Sequence, residues 1–452
     1  MKKLRETGGP RFSDKELTRL MIPLIIEQFL AIAVGMADSL MVAGIGESAV
    51  SAVSLVDTVN VLLVNAFTAL ATGGAVVSGQ FLGRRDGKKA CEAAEQLIVF
   101  SAFVAVVITA GLYIAKGGIL GGLFGNVDAE VMRRSDMYYS ITEASIPFLA
   151  IYSAGAALFR MMGNSKVSMN VSLLMNGVNI AGNAALLYGF GFDVDGAAIP
   201  TLFSRIVAAA VVVFMLRKQS LPIHISKPFR YRINGAAIRN IVRLGIPNGL
   251  ESSMFQLGKI LLLSVASVFG TAAIAANAIG NTIAMFEVLI PMSIGVGLVT
   301  VVSRCAGAED FEAARFYTKK LMIWAYALNA GFVAIILVFT PQIVSLYGVS
   351  PEAADIAGKL IWMHGAMSIL LWPMSFTLPQ ALKGAGDMRY TMFVAAGSMW
   401  IFRVIFGIWF ARGLGFGIIG IWLAMFIDWL CRIVFFTIRY HGHRWETKLI
   451  GK

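Results

Sequence analysis

Charge is scarce in this chain. Asp, Glu, Lys and Arg make up 14% of its 452 residues, against about 25% in soluble globular domains. With 58% hydrophobic residues and a mean hydropathy of +0.75, the composition is that of an integral membrane protein. Cysteine is nearly absent. Cys91, Cys305 and Cys431 show no metal spacing, and two fall at cytoplasmic edges and one in the last apolar run, so neither a disulfide nor a zinc site is implied. Only four histidines occur, His224, His364, His441 and His443, and His441-Gly-His443 belongs to a C-terminal tail read as solvated. No HExxH, GxSxG or paired intramembrane aspartates appear, which disfavours a membrane-embedded enzyme. There is no GxxxxGK[ST] loop and no inner loop as long as thirty residues, so no nucleotide-binding module powers the chain. Transport would have to draw on an ion gradient. No cofactor and no metal are implied. No cleavable leader is visible either, since the charged segment Met1 to Arg19 runs directly into the first apolar run.

What the chain does have is long apolar runs, each near the roughly 20 residues that cross the hydrocarbon core. Twelve are expected: 17–42, 48–77, 93–115, 137–158, 167–189, 195–217, 240–266, 272–301, 317–340, 357–381, 390–411 and 416–438. The basic residues orient them. Twenty-nine of the 38 Lys and Arg lie on one side, five on the other, and Arg205, Lys259, Arg403 and Arg432 lie within spans. The positive-inside rule then puts both termini in the cytoplasm of a multi-pass cell-membrane protein. The net charge of +12 thus reflects topology, and no nucleic-acid partner is implied. The densest basic segment, Arg217 to Arg243, is read as a solvated linker that could also touch anionic lipid.

A second feature is duplication. At an offset of 224, Pro23 falls on Pro247, Glu27 on Glu251, Gly46 on Gly270, Gly73 on Gly297, Gly83 on Gly307 and Asp86 on Asp310. Gly189, Gly191 and Gly196 fall on Gly413, Gly415 and Gly420, while Gly163-Asn164 reaches Gly386-Asp387 at 223. The expected organisation is a six-helix lobe at 1–220, a basic linker at 221–239 and a second six-helix lobe at 240–452. Six spans per copy make the repeats parallel, related by a pseudo-twofold axis along the membrane normal with a central cavity. Glycines such as Gly73-Gly74, Gly295 and Gly297, and prolines at 23, 147, 247, 291, 373 and 379, fall inside spans. They read either as packing contacts and kinks or as hinges for alternating access. Pro23 and Pro247 are expected to begin corresponding helices.

Intramembrane acids are candidates for function because an ionised side chain at a helix centre costs at least ~2.5 to 3.5 kcal/mol. They are Glu27, Asp38, Asp57, Glu143, Glu251, Glu287 and Asp428. Glu27 and Asp38, eleven residues apart, differ by about 20° of rotation and roughly 16 Å of rise on one helix. Glu27 and Glu251 repeat, so each is either a structural anchor or part of a cavity lining. Asp38 does not repeat. Its counterpart is Leu262, and that of Asp57 is Asn281, so both acids belong to the first half alone. A buried carboxyl that exchanges a proton or binds a cation is what an antiporter needs, since burial favours the protonated form of such a group. Asp38 is the leading coupling residue, with Glu27 and Asp57 as further candidates. Asn176, Asn179 and Asn183 form one amide stripe at i, i+3 and i+7, either gluing helices or joining Asp38 in a network. Glu251, Glu287, Asn176 and Gln28 are candidates for lining a substrate cavity. The in-span bases Lys259, Arg403 and Arg432 are expected to neutralise acids or to snorkel. Abundant Met and Phe would suit a cavity for varied lipophilic cations.

Several segments carry a resemblance. They are Met21-Ile-Pro23-Leu-Ile-Ile-Glu27-Gln28, Gly35-Met-Ala-Asp38-Ser-Leu-Met-Val42, Gly46-Glu-Ser-Ala-Val-Ser-Ala52 and Val77-Ser-Gly-Gln80-Phe-Leu-Gly83 with Asp86, together with Val302-Ser303-Arg304, Gly307 and Asp310. Through them the chain resembles the multidrug and toxic compound extrusion (MATE) family over all twelve spans. The resemblance implies a V-shaped, all-α fold of two six-helix bundles and cation-coupled efflux of organic cations by a monomer. It also implies that Asp38 is the first-helix aspartate used for proton or cation coupling, and that Asn179 is its fifth-helix partner. Asn183 stands where some members have an acid. The tenth span lacks the interior carboxylate of sodium-coupled members, although Glu251 and Glu287 could substitute, so protons are favoured over sodium. A flippase of lipid-linked saccharides or a metabolite exporter is the competing reading, since fold does not fix substrate; a channel is disfavoured.

Overall fold

The computed structural model describes residues 12–124, 128–226 and 232–450. Residues 227–231 of the basic linker and the basic residues up to Arg11 lie outside them. Among the described residues the chain is helical throughout, with no strand, as expected where water cannot satisfy the backbone and each N–H must bond within its own segment. In the first half the helices are α1 (Asp14–Ala43), α2 (Glu47–Gly83), α3 (Gly87–Phe124), α4 (Ala129–Glu143), α5 (Ile146–Met161), α6 (Ser165–Asn183) and α7 (Asp195–Leu216). The second half holds α8 (Gly235–Ala266), α9 (Thr271–Glu287), α10 (Leu289–Gly307), α11 (Phe311–Val338), α12 (Thr340–Ser345), α13 (Pro351–Trp372), α14 (Leu378–Gly384), α15 (Met388–Ser398), α16 (Phe406–Ile408) and α17 (Gly417–His441). Among the described residues ten helices are long and apolar enough to cross a membrane, or eleven if α4 and α5, bent by 43°, are one span. The expected tenth span, 357–381, is helical in α13 and α14 but more polar, owing to Lys359 and His364.

Four local expectations are corrected. The eighth span, 272–301, is not continuous: it divides at Val288 into α9 and α10. Pro291 explains the break, because it has no N–H for the Glu287 carbonyl four residues earlier and its ring crowds that carbonyl. Pro23 and Pro247 do not begin helices but lie inside α1 and α8, which start at Asp14 and Gly235. Around Pro23 the freed carbonyls find a donor, as Ser165 Oγ lies 2.6 Å from Leu20 O and 3.3 Å from Arg19 O. The fourth correction concerns the C-terminal tail, which is solvated at His441 and His443 but folds back beyond them. Trp445 is fully buried and stacked on Tyr440, and Arg315 Nη2 donates to Glu446 Oε1 at 2.6 Å.

The duplication extends to the backbone. Left-handed φ values recur at Gly46 (133°) and Gly270 (89°), and at the non-glycine pair Arg85 (60°) and Glu309 (58°). Each of that second pair precedes an aspartate that caps the next helix. Asp86 Oδ1 accepts from Lys89 N at 3.1 Å and Asp310 Oδ1 from Ala313 N at 2.9 Å, which satisfies a free N–H of the first turn. The helices before Gly189 and Gly413 both end in a π-helical turn, Ala184–Gly189 and Trp409–Gly413. The second half has two others, Pro373–Thr377 and Met399–Ile405.

By contacts the chain divides into two compact units, Asp14–Gly249 and the remaining described residues. The division falls inside α8. In the first unit the backbones of α2 and α8 meet at glycines: a Cβ on Gly73 would lie 2.8 Å from both Gly245 Cα and Leu244 O. Small residues permit such close approach between membrane helices. In the second unit Trp372, Trp422, Trp429, Met399 and Phe426 build the core. Because the obstruction at Gly73 is backbone, Gly73→Ala is expected to destabilise the protein by about 1–3 kcal/mol, seen as a lower Tm in detergent; Gly87→Ala, which meets nothing within 4 Å, serves as the control.

Candidate functional site

Asp38, in the C-terminal half of α1, is half-buried beside α6 and α7. Asn183 Nδ2 donates to its Oδ1 at 3.0 Å. The Asn179 amide lies between the carboxylate and Thr201. With its nitrogen turned to Asp38 it donates to Oδ1 at 3.0 Å and Oδ2 at 3.1 Å, and its oxygen accepts from Thr201 Oγ1 at 3.0 Å. Asn179 and Asn183 are one helical turn apart and buried, so both reach the same group. Asn176, at the start of the stripe, is half-buried and makes no side-chain hydrogen bond among the described residues. No base lies within ion-pair distance of Asp38 among the described residues. Its carboxylate is held by neutral donors alone.

A second acidic group adjoins it. Asp57, on α2, faces Asn60 Nδ2 at 3.4 Å and Tyr138 Oη at 3.5 Å. Glu143, at the end of α4, is fully buried, and neither carboxylate oxygen has a hydrogen-bond partner. The one base here is Arg205, on α7, which donates to Ser145 Oγ at 2.6 Å and lies within electrostatic reach of Asp57, Glu143 and Tyr138. Asp38 in turn feels the charge of Asp57. Two acids therefore share one guanidinium, and Asp38 adds a third acid with no base of its own among the described residues.

The repeated acids Glu27 and Glu251 lie elsewhere. Glu27 is buried with its Oε1 3.5 Å from Arg160 Nη1 and accepts from Ser168 Oγ at 2.9 and 3.0 Å. Glu251 Oε1 lies 2.8 Å from Lys383 Nζ. Arg160 and Lys383 are 223 residues apart, the offset of the neighbouring Gly163 and Gly386, so the ion pair itself is duplicated. Gln28, next to Glu27, is half-buried and makes no side-chain hydrogen bond among the described residues.

The other acids of the second half also have bases. Glu287, at the last residue of α9, bonds His364 Nδ1 through Oε2, and Trp422 and Trp429 stand edge-on to the imidazole. Asp428 Oδ1 accepts from Arg432 Nε at 2.9 Å, and Arg403 Nη1 is 4.0 Å from its Oδ2. Sequence reasoning missed Thr201, Arg160, Lys383 and His364. Arg160 and Lys383 could have been found from their shared offset with Gly163 and Gly386; a lone intramembrane threonine or histidine gives no such signal.

Duplicated membrane helices around buried, unevenly compensated acids define a membrane transporter. The MatE family model matches residues 23–185 and again 247–409, the 224-residue repeat once more. The chain belongs to the MatE family of multidrug efflux transporters, and is not an enzyme. It is 28% identical to the "Uncharacterized transporter YisQ" of Bacillus subtilis over 98% of both chains. It is 23% identical to the "Probable multidrug resistance protein NorM" of Thermotoga maritima, over 96% of this chain and 94% of that one. Among solved structures it matches, with a TM-score of 0.87 and 22% identity over 96% of both chains, an outward-facing multidrug resistance MATE family transporter of the MOP superfamily. A MOP superfamily transporter from Pyrococcus furiosus, described by the reverse polarity of its binding pocket, matches equally well (TM-score 0.87, 22% identity, 96% of both chains).

Burial of the Glu27–Arg160 pair makes its halves interdependent. Arg160→Ala leaves a buried carboxylate without its base and is expected to cost about 3–5 kcal/mol. Adding Glu27→Gln should recover most of that loss in a thermal-unfolding double-mutant cycle, and a strictly additive cycle would refute the pairing.

Proposed function

We propose that the chain is a proton-driven antiporter that exports organic cations across the cell membrane, as a monomer with both termini in the cytoplasm. Its two repeats, 1–220 and 240–452 joined by 221–239, act as the lobes of an alternating-access cycle. The observation that carries this reading is the charge balance of the first unit. Among the described residues Asp57 and Glu143 share Arg205 as their one base and Asp38 has none, whereas Glu251, Glu287 and Asp428 each have a basic side chain at ion-pair distance. Uncompensated charge in a low-dielectric interior is relieved by taking up a proton or a cation. Asp38 is the acid with neutral donors on both oxygens, and those donors can hold it in either protonation state because an amide or hydroxyl can donate or accept. Protons are preferred to sodium because α13 carries His364, and no acid, through its interior.

Asn179, Asn183 and Thr201 are assigned to orient Asp38, and Asp57 to bias its protonation. Glu27 and Glu251 are assigned to clamp helices, each being held by its own base. Substrate contact is assigned to Gln28 and Asn176, whose half-buried amides have no hydrogen-bond partner among the described residues.

Proteoliposomes carrying ethidium, with an imposed proton or sodium gradient, test the proposal. Export driven by the proton gradient and reduced to the empty-liposome background by Asp38→Asn is expected; Glu27→Gln with Arg160→Met should still transport. Export driven only by sodium would replace the coupling ion, and export by neither gradient would sink the antiporter reading.

A further inference from the structure

The 224-residue offset maps the Asp38 cluster onto residues that the proposed function leaves unused. Asp38, Asn179, Asn183 and Thr201 fall on Leu262, Arg403, Gly407 and Met425. The contacts carry across with the positions. Arg403 Nη2 lies 3.0 Å from Met425 Sδ, as Asn179 meets Thr201. A Cβ on Gly407 would sit 3.1 Å from Leu262 Cδ2, as Asn183 meets Asp38. The acid has been lost at this place, and a guanidinium stands where the amide was.

Lys259 adds a second positive charge. It lies three residues before Leu262 on α8, so the two share a face. It is exposed, and no hydrogen bond or ion pair holds it among the described residues. It is within electrostatic reach of Arg403. The acid nearby, Asp428, gives its Oδ1 to Arg432 and stands 4.0 Å from Arg403 Nη1, while Arg403 Nε is buried without a partner. Lys259, Arg403 and Arg432 thus outnumber Asp428 by two charges. Phe255 lies under both guanidinium groups, 5.4 Å from Arg403 and 5.7 Å from Arg432, and gives the cluster an aromatic wall. An unpaired ammonium flanked by exposed Leu257, Ile260, Leu261 and Leu263 is unfavourable in hydrocarbon. A bound anion relieves both that cost and the repulsion between the two bases.

We propose that Lys259 and Arg403 form an anion-accepting subsite in the second half, which takes the carboxylate of an aromatic substrate. The exported compounds are then zwitterions, organic cations that also carry an acid; the inference rests on the organic-cation reading above and narrows it. Lys259 supplies the free ammonium, Arg403 the second positive charge, and Phe255 the face against which an aromatic frame packs.

The test uses Nε-dansyl-lysine, which carries an ammonium and a carboxylate on an aromatic fluorophore, and its methyl ester, which keeps only the ammonium. Binding of each to the purified full-length protein is followed by dansyl fluorescence in uncharged detergent, without any gradient. A charge-assisted hydrogen bond predicts that the acid binds about ten- to hundredfold more tightly than the ester. Lys259→Gln should bring that ratio near one, and Lys259→Arg should restore it. Equal affinities in the unmodified protein, no binding of either probe, a ratio that survives Lys259→Gln, or displacement of the acid by phosphatidylglycerol alone would overturn the subsite. The assay is independent of coupling. Loss of gradient-driven ethidium export would overturn the antiporter and leave the subsite standing, and the reverse outcome would separate them the other way.

Discussion

A carboxylate inside a membrane must be matched by a base, a set of hydrogen-bond donors or a proton, and the Glu27–Arg160 pair illustrates how the scaffold meets that demand. Glu27 is on α1, Arg160 in the last turn of α5 and Ser168 in the first turn of α6, so one ion pair ties three helices at a single point. The second half repeats the arrangement with Glu251 of α8 and Lys383 of α14. Breaking such a contact leaves a buried charge, a larger loss than the pair contributes by forming. These two joints give each half a fixed corner, against which the remaining polar groups are set.

Within that frame the two copies hold charge differently. The first collects acids around α1, α2, α4 and α7, with Arg205 between them. The second places Lys259 and Arg432 on the helices that match α1 and α7, and Arg403 on the one that matches α6, and gives each acid a base. The same helix positions therefore present an acid with amide donors in one copy and a guanidinium beside a thioether in the other. Duplication supplied the geometry, and substitution at a few matched positions reversed its sign. The first half thus holds acids without full compensation, and the second holds surplus bases.

Much of this was legible before any coordinates. Apolar runs of helical length locate the helices, because hydrocarbon leaves the backbone no other partner. Asp38 stands out because its counterpart is Leu262, and Asn179 and Asn183 because their spacing puts both amides on one face. What stayed hidden depends on register between helices. Thr201 gains its role only when α7 is set against α6. His364 is silent until α9 delivers Glu287 to it. Arg160 and Lys383 look like inner-loop charges until their helices extend far enough to bury them. The break at Val288 is masked by an unbroken apolar run, although Pro291 announces it. Trp445 anchors the tail through contacts with Tyr440 and Arg315 that no local pattern reveals.

The π-helical turn at Met399–Ile405 has a further consequence. From Gly163 to Gly189 is 26 residues, whereas from Gly386 to Gly413 is 27, so the second copy holds one residue more along the same helix. A π turn spans five residues per hydrogen-bonded step in place of four, which lets a helix take in that residue while both of its ends stay in place. The surplus residue is accommodated in the stretch that carries Arg403. The extra residue relative to the first copy thus acts as a rotation, turning one side chain about the helix axis while the bounding glycines keep their matched places. Shortening this segment by one residue would undo the rotation, leaving the length of the span intact and its chemistry changed.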